Sequence, residues 1–201
     1  MGKLGIDFNY LKIENFLKED ILEVLKHYCE MKNRVVDEKH LLNNPKSELT
    51  CAELSYYGEP LMDSILLYCQ KKVEQNSNRI ILPSYSLWRT YTYGSYLLPH
   101  IDRPSCEISV TIHLNGDGTD WPFEIEDTSI KTKPGDGIIY LGNKVTHGRK
   151  QFLGDFQTQL FLHYVDANGK FKDFEKDKRA TVDRDWETLF PRYIIPSSGL
   201  V

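Results

Sequence analysis

A mainly β fold with helices ahead of it, an α+β arrangement, is predicted by three features of the 201-residue sequence. From Ile80 onward, IILP, SLWRTYTY, EISVTIHL, PFEIED, GIIYL and QTQLFLHYV are short β-branched and aromatic runs separated by Gly, Pro and Asp, as antiparallel strands are. Upstream, two stretches place apolar residues at helical spacing. With 40% hydrophobic and 27% charged residues, the chain is long enough for one sizeable core. A single domain is expected: residues 1–79 supply supporting helices, 80–166 the β core and 167–201 an extension packed on it.

The first helix is expected over Glu14 to Glu30, where Leu17, Ile21, Val24, Leu25 and Tyr28 share a face, Asn15 can cap, and Glu19 and Asp20 fall in the first turn. His27 on that helix has no partner at ligand spacing and reads as solvated or at the core edge. NNPKSELTCAELSYYGEP reads as a connection holding one short element. A second helix follows Pro60, a residue tolerated in a first turn, with Leu61, Ile65, Leu66, Cys69 and Val73 on one side; it should end before Asn76. Trp88 reads as core. Trp121 follows a Gly- and Asp-rich loop and reads either as a core aromatic at a strand start or as part of a mobile segment over a site. No internal repeat occurs. After a charged stretch at 168–184, DWETLFPRYIIP turns aromatic again, so the tail is expected to dock.

Composition narrows the partners. A net charge of -4 and a pI near 5.9 supply no global basic field, which argues against nucleic acid or an anionic membrane as principal partner. Cys29, Cys51, Cys69 and Cys106 are scattered without a CxxC pair, so they read as reduced, mostly buried thiols. MGKLGI lacks the Ser or Thr of a myristoylation signal, and no apolar run approaches the ~18 residues of a membrane span. A soluble, cytoplasmic protein is the expectation.

Chemistry concentrates in YTYGSYLLPHIDRPSCEISVTIHL, residues 91–114. Residues two apart in an extended strand face the same way, so His100 and Asp102 can converge on one point. GDGIIYLGNKVTHGRK offers His147 at the end of a second apolar strand as a third ligand. Two His and one carboxylate on one face of a metal leave its other positions open, the arrangement of non-haem Fe(II) oxygenases. His100, Asp102 and His147 on iron is therefore the hypothesis.

From about Pro83 to Asp166 the chain resembles the Fe(II)- and 2-oxoglutarate-dependent dioxygenases, in particular the prolyl 4-hydroxylase-like branch. YTYGSYLLPHID resembles that branch's strand leading into its metal motif, with a Tyr nine residues before the His, a Gly six before it and a Pro directly before it. KPGDGIIYLGNKVTHGRK resembles its Gly-Asp turn, buried strand and distal His. The resemblance implies a double-stranded β-helix, or jelly roll, supported by N-terminal helices. It also implies Fe(II), 2-oxoglutarate and O2, with oxidative decarboxylation to succinate and carbon dioxide coupled to hydroxylation of a C–H bond.

The distal carboxylate of 2-oxoglutarate calls for a cation or several hydrogen-bond donors. The branch usually presents Lys or Arg about ten residues beyond the distal His, and here that residue is Gln157. Arg149, two residues after His147 and on the same face, is favoured together with the Tyr91 hydroxyl; Gln157 and Arg89 are the alternatives. Were no cation to reach the site, a smaller 2-oxoacid or an ascorbate-like reductant would become conceivable. His113 and His163 read as structural histidines. Arg103 is expected to face away from Asp102 unless Pro104 redirects it to the entrance, and Glu107 either steadies a ligand or pairs with Arg103. The leading substrate is an amino-acid residue, free or in a peptide, with a small metabolite nearly as good a fit. The alternative function is a non-catalytic jelly-roll metal-binding module.

Overall fold

The computed structural model describes residues 9–35 and 54–179. The expectations for MGKLGI, Cys51 and the aromatic tail lie outside the described residues. Ten strands, β1 (Tyr10–Ile13), β2 (Leu54–Tyr57), β3 (Ile81–Thr92), β4 (Leu97–His100), β5 (Ile108–Gly116), β6 (Phe123–Ile125), β7 (Thr128–Ile130), β8 (Gly137–Tyr140), β9 (His147–Arg149) and β10 (Phe156–Asp166), form two antiparallel sheets. The large sheet runs β1-β8-β5-β10-β3-β2 and the small one β4-β9-β6-β7. From β3 onward the chain passes back and forth between them, so the two sheets enclose a common interior.

Helices α1 (Glu19–Arg34) and α2 (Pro60–Ser77) cover the outer face of the large sheet. The expected start of α1 is displaced. Asn15 does not cap; it takes a positive φ of 49°, and its N–H donates to Asp136 Oδ1 at 3.1 Å. Leu17 N–H donates to Gly135 O at 3.1 Å. These long-range bonds hold residues 15–17 in a loop against the turn before β8, which postpones the helix to Glu19. Its buried face is Leu22, Leu25 and Cys29, while Val24 is 57% exposed. α2 begins at Pro60 as expected but continues to Ser77, where Asn78 in the left-handed region ends it.

Strand alternation divides the large sheet's side chains. Trp88, Ile108, Val110, Ile112, Leu114, Leu160, Leu162 and Tyr164 pack with the helices in the main core. Trp88 stacks on Tyr56 at 4.2 Å between centroids, and its Nε1 donates to Glu59 Oε2 at 2.6 Å. The opposite face of the same strands looks into the space between the sheets. Cys29, Cys69 and Cys106 are buried free thiols. No helix among the described residues is long and apolar enough to cross a membrane.

A short 3-10 segment, Lys172–Lys178, brings the described chain back over the β3 end of the sheet. Asp63, buried on α2, accepts from Ser86 Oγ at 2.7 Å and from Arg179 Nη1 at 3.0 Å, which ties helix, strand and C-terminal segment together.

Candidate functional site

β4 and β9 are neighbours in the small sheet, and their register sets His100 opposite His147. The ring centroids lie 4.4 Å apart. Asp102 follows β4, its N–H donates to Gly142 O at 2.8 Å, and its carboxylate faces both rings. Asp102 Oδ1 stands 3.4 Å from His100 Nε2 and 3.6 Å from His147 Nε2, and ligand atoms of all three lie within 4.8 Å of one another. Cis ligand atoms bound roughly 2.1 Å from one ion would stand about 3.0 Å apart, and Asp102 Oδ1 already lies close to that spacing from both rings.

Both histidines are held in one tautomer. His100 Nδ1 meets Leu98 O at 2.8 Å and His147 Nδ1 meets Val145 O at 3.0 Å. A carbonyl only accepts, so each Nδ1 carries the proton and each Nε2 offers its lone pair inward, as second-shell bonding does at metal sites. Burial opposes charge on His100, but the Asp102 carboxylate and the Leu98 carbonyl outweigh it and raise the pKa. Burial would raise the Asp102 pKa; the polar contacts with His100 and His147 more than offset that and hold it well below the usual carboxylate range. The trio is thus an anionic carboxylate between two imidazole lone pairs, a donor set that suits a divalent transition metal.

Asp102 Oδ2 accepts from Ser109 Oγ at 3.3 Å, and that hydroxyl also meets His163 Nδ1 at 2.9 Å. Burial drives the His163 pKa down to about 4, so it stands neutral beside the carboxylate. Cys106 lies against Tyr85 Oη at 3.0 Å, and burial pushes its thiol up to about 12. Asp102, Cys106 and His163 make a second metal-capable group, but it shares Asp102 with the first. Space around the Asp102 carboxylate is tight. A Cβ on Gly142 would collide with Asp102 Oδ2 and approach Cys106 O to 2.5 Å and Ser109 Oγ to 2.7 Å.

Further along the interior is a second cluster. Arg149, two residues beyond His147 on β9, is only 3% exposed. Its Nη1 donates to Trp121 O, and its guanidinium lies 4.7 Å from the Trp121 ring and 5.4 Å from Phe123. Its Nη2 has no partner, and no described acid pairs with it. Tyr91 packs edge-on to Trp121 at 4.8 Å and pairs with Gln157 across β3 and β10. Tyr91 Oη, Gln157 Nε2 and Gln159 Nε2 are likewise buried without partners. Each of these orphans can donate, so what the cluster lacks is an acceptor. Burial lowers even the Arg149 pKa, to about 10. Because a cation reaches the interior, the condition that would have pointed to a smaller oxoacid or ascorbate is not met.

Other residues resolve as follows. His113 Nδ1 meets Thr132 O at 3.1 Å, and burial pushes its pKa down to about 4. Trp121 is a buried aromatic ahead of β6, its Nε1 donating to Lys150 O at 2.7 Å. Arg103 reaches the cavity edge, where it bonds Asp177 at 2.7 Å and covers the Tyr85 ring. Glu107 neither pairs with Arg103 nor steadies a ligand; its carboxylate accepts from Asp166 N–H at 2.9 Å. His27 is exposed.

No protein-family model and no curated protein sequence matches the chain. Solved structures do match, and the fold is that of the 2-oxoglutarate- and Fe(II)-dependent oxygenases. A prolyl 4-hydroxylase from Pseudomonas putida aligns with TM-score 0.60 at 16% identity, over 79% of this chain and 92% of that one. The viral collagen prolyl hydroxylase of Paramecium Bursaria Chlorella virus-1, solved with 2-oxoglutarate, aligns at 0.57 and 16%, over 78% and 96%. EctD from S. alaskensis, solved with 2-oxoglutarate and 5-hydroxyectoine, aligns at 0.60 and 12%, over 79% and 72%.

Proposed function

We propose that this protein is an Fe(II)- and 2-oxoglutarate-dependent hydroxylase whose strand alternation from β3 to β10 is a double-stranded β-helix. One observation carries the reading: β9 turns into the same interior both a metal-capable histidine and, two residues on, a buried guanidinium without a counter-ion. Two residues of strand span roughly 7 Å, a length that a five-carbon diacid bridges. An unpaired buried cation is costly, and a resident anion relieves it.

In this reading His100, Asp102 and His147 hold the iron. Arg149 with the Tyr91 hydroxyl and the Gln157 amide receive the distal carboxylate of 2-oxoglutarate. The bound metal and cosubstrate supply oxidative decarboxylation, giving succinate and carbon dioxide, coupled to hydroxylation of a C–H bond. The chain's own residues position and shield. Leu98 and Val145 carbonyls fix the imidazoles, Ser109 fixes Asp102, and Trp121 and Phe123 hold the Arg149 arm so that one fork nitrogen remains to bind. Phe123, Tyr140 and Phe161 wall the space from bulk water. The substrate class is an amino acid or a small metabolite, with proline as the first case to try.

Anaerobic mixing with ferrous iron and 2-oxoglutarate should produce the weak visible charge-transfer band of the chelate, and aerobic incubation should release succinate. Absence of both in the metal-loaded protein would sink the reading and leave a binding module.

A further inference from the structure

We propose that Arg89 is the anchor for a carboxylate on the substrate, so that the metal cavity takes a small free organic acid rather than a residue inside a peptide; the inference rests on the oxygenase reading above. Arg89 shares the inner face of β3 with Tyr85, Leu87 and Tyr91, and it lines a cavity of about 290 Å³ with His100, Asp102 and His147. Its Nε donates to Ser55 Oγ at 3.1 Å, and its guanidinium stands 5.9 Å from the Phe161 ring. These contacts steady the arm and leave the terminal fork open. Among the described residues no acid lies within ion-pairing distance of Arg89.

The neighbouring cation makes the contrast. Arg103 lines the same cavity, but Asp177 occupies it at 2.7 Å. Among the described lining residues Asp102 is the one acid, and it faces the two imidazoles. Arg89 is also distinct from the Arg149 cluster: it pairs with Gln159 across β10, one inward position nearer the metal than the Tyr91–Gln157 pair. His100 and His163 line the same cavity as Arg89, which places its fork beside the reacting centre. A planar fork facing a confined space is the best geometric match for a carboxylate. The cavity volume is at the small end for ligand sites and fits a molecule of amino-acid size.

The test uses the full chain loaded with zinc in place of iron and saturated with 2-oxoglutarate. Calorimetric titration compares the free L-amino acids and short monocarboxylic acids with their neutral amides. In the wild type at least one acid should bind about tenfold or more tighter than its amide. In R89Q that preference should fall to near one, R89K should keep part of it, and 2-oxoglutarate should bind both within threefold of wild type. Equal binding of acids and amides by the wild type overturns the proposal. So does a tenfold loss of 2-oxoglutarate affinity in R89Q, which would assign Arg89 to the cosubstrate. Failure of the wild type to bind 2-oxoglutarate at all sinks the parent reading instead, so the two failures are told apart.

Discussion

On the helix side of the large sheet, Ile112, Leu160, Leu162 and Trp88 are fully buried against α1 and α2, and the polar Trp88 Nε1 and Tyr164 Oη both find acceptors, Glu59 and Leu66 O. On the other side, the same strands bury Tyr91, His113, Gln157 and Gln159 with polar atoms left over. Both faces exclude water. On the helix side the atoms left without partners, Asn33 Oδ1 and Ser77 Oγ, sit near the C-terminal ends of α1 and α2; on the inner side the unsatisfied donors lie on the strands themselves, where a ligand can meet them.

The sharpest break of that comparison is His147→Ala. It should lower succinate release by about three orders of magnitude or more while circular dichroism stays native. Next, Leu160→Ala on the helix side should destabilise the fold by about 2–5 kcal/mol in urea titration and leave 2-oxoglutarate affinity of the folded fraction unchanged. Arg149→Met should do the opposite. It should weaken 2-oxoglutarate binding about 100-fold by calorimetry while the ligand-free melting temperature holds or rises, since the change removes an unpaired buried charge. A large fall in that temperature would mean Arg149 is a structural member of the core.

Acid offers a milder probe of the inner face. Folding depresses the His113 pKa from 6.5 to about 4, so below pH 6.5 the unfolded chain takes up a proton that the folded chain refuses. Stability from this group is therefore full above pH 6.5 and is lost as pH falls toward 4. Between pH 7 and 5 the loss is about 2 kcal/mol, and His113→Asn should remove that part of the pH dependence. Smallest, Ser109→Ala should weaken ferrous iron binding by about tenfold, because Asp102 loses a hydrogen bond that orients it.

β3, β5, β8 and β10 of the large sheet were legible because they are apolar runs rich in β-branched and aromatic residues; β1 and β2, four residues each at its two edges, were not. Of the small sheet only β6 was legible, within PFEIED; LLPH, HGR and TSI are three or four residues without alternation, and their pairing is imposed by closure against the larger sheet. Period-two spacing linked His100 to Asp102 and Arg149 to His147, and the end of an apolar strand singled out His147; the structure brings ligand atoms of His100, Asp102 and His147 within 4.8 Å of one another. Tyr91 and Gln157 came from the resemblance. Gln159 was missed, although QTQLFLHYV alternates Gln157, Gln159, Phe161 and His163 against Thr158, Leu160, Leu162 and Tyr164. Ser109 and the carbonyls of Leu98 and Val145 had no signal, since a backbone acceptor leaves no trace in residue identity. Asn15 misled because its fate is decided by Asp136, more than a hundred residues away.

Gly142 ligates nothing and is remote in sequence from His100, yet its missing side chain is what gives the Asp102 carboxylate room beside Ser109 and the Cys106 carbonyl. One added methyl there would shift the anion off its station and disarm the centre with every ligand still encoded. Random mutagenesis scored by activity should therefore flag this silent glycine as strongly as the histidines themselves.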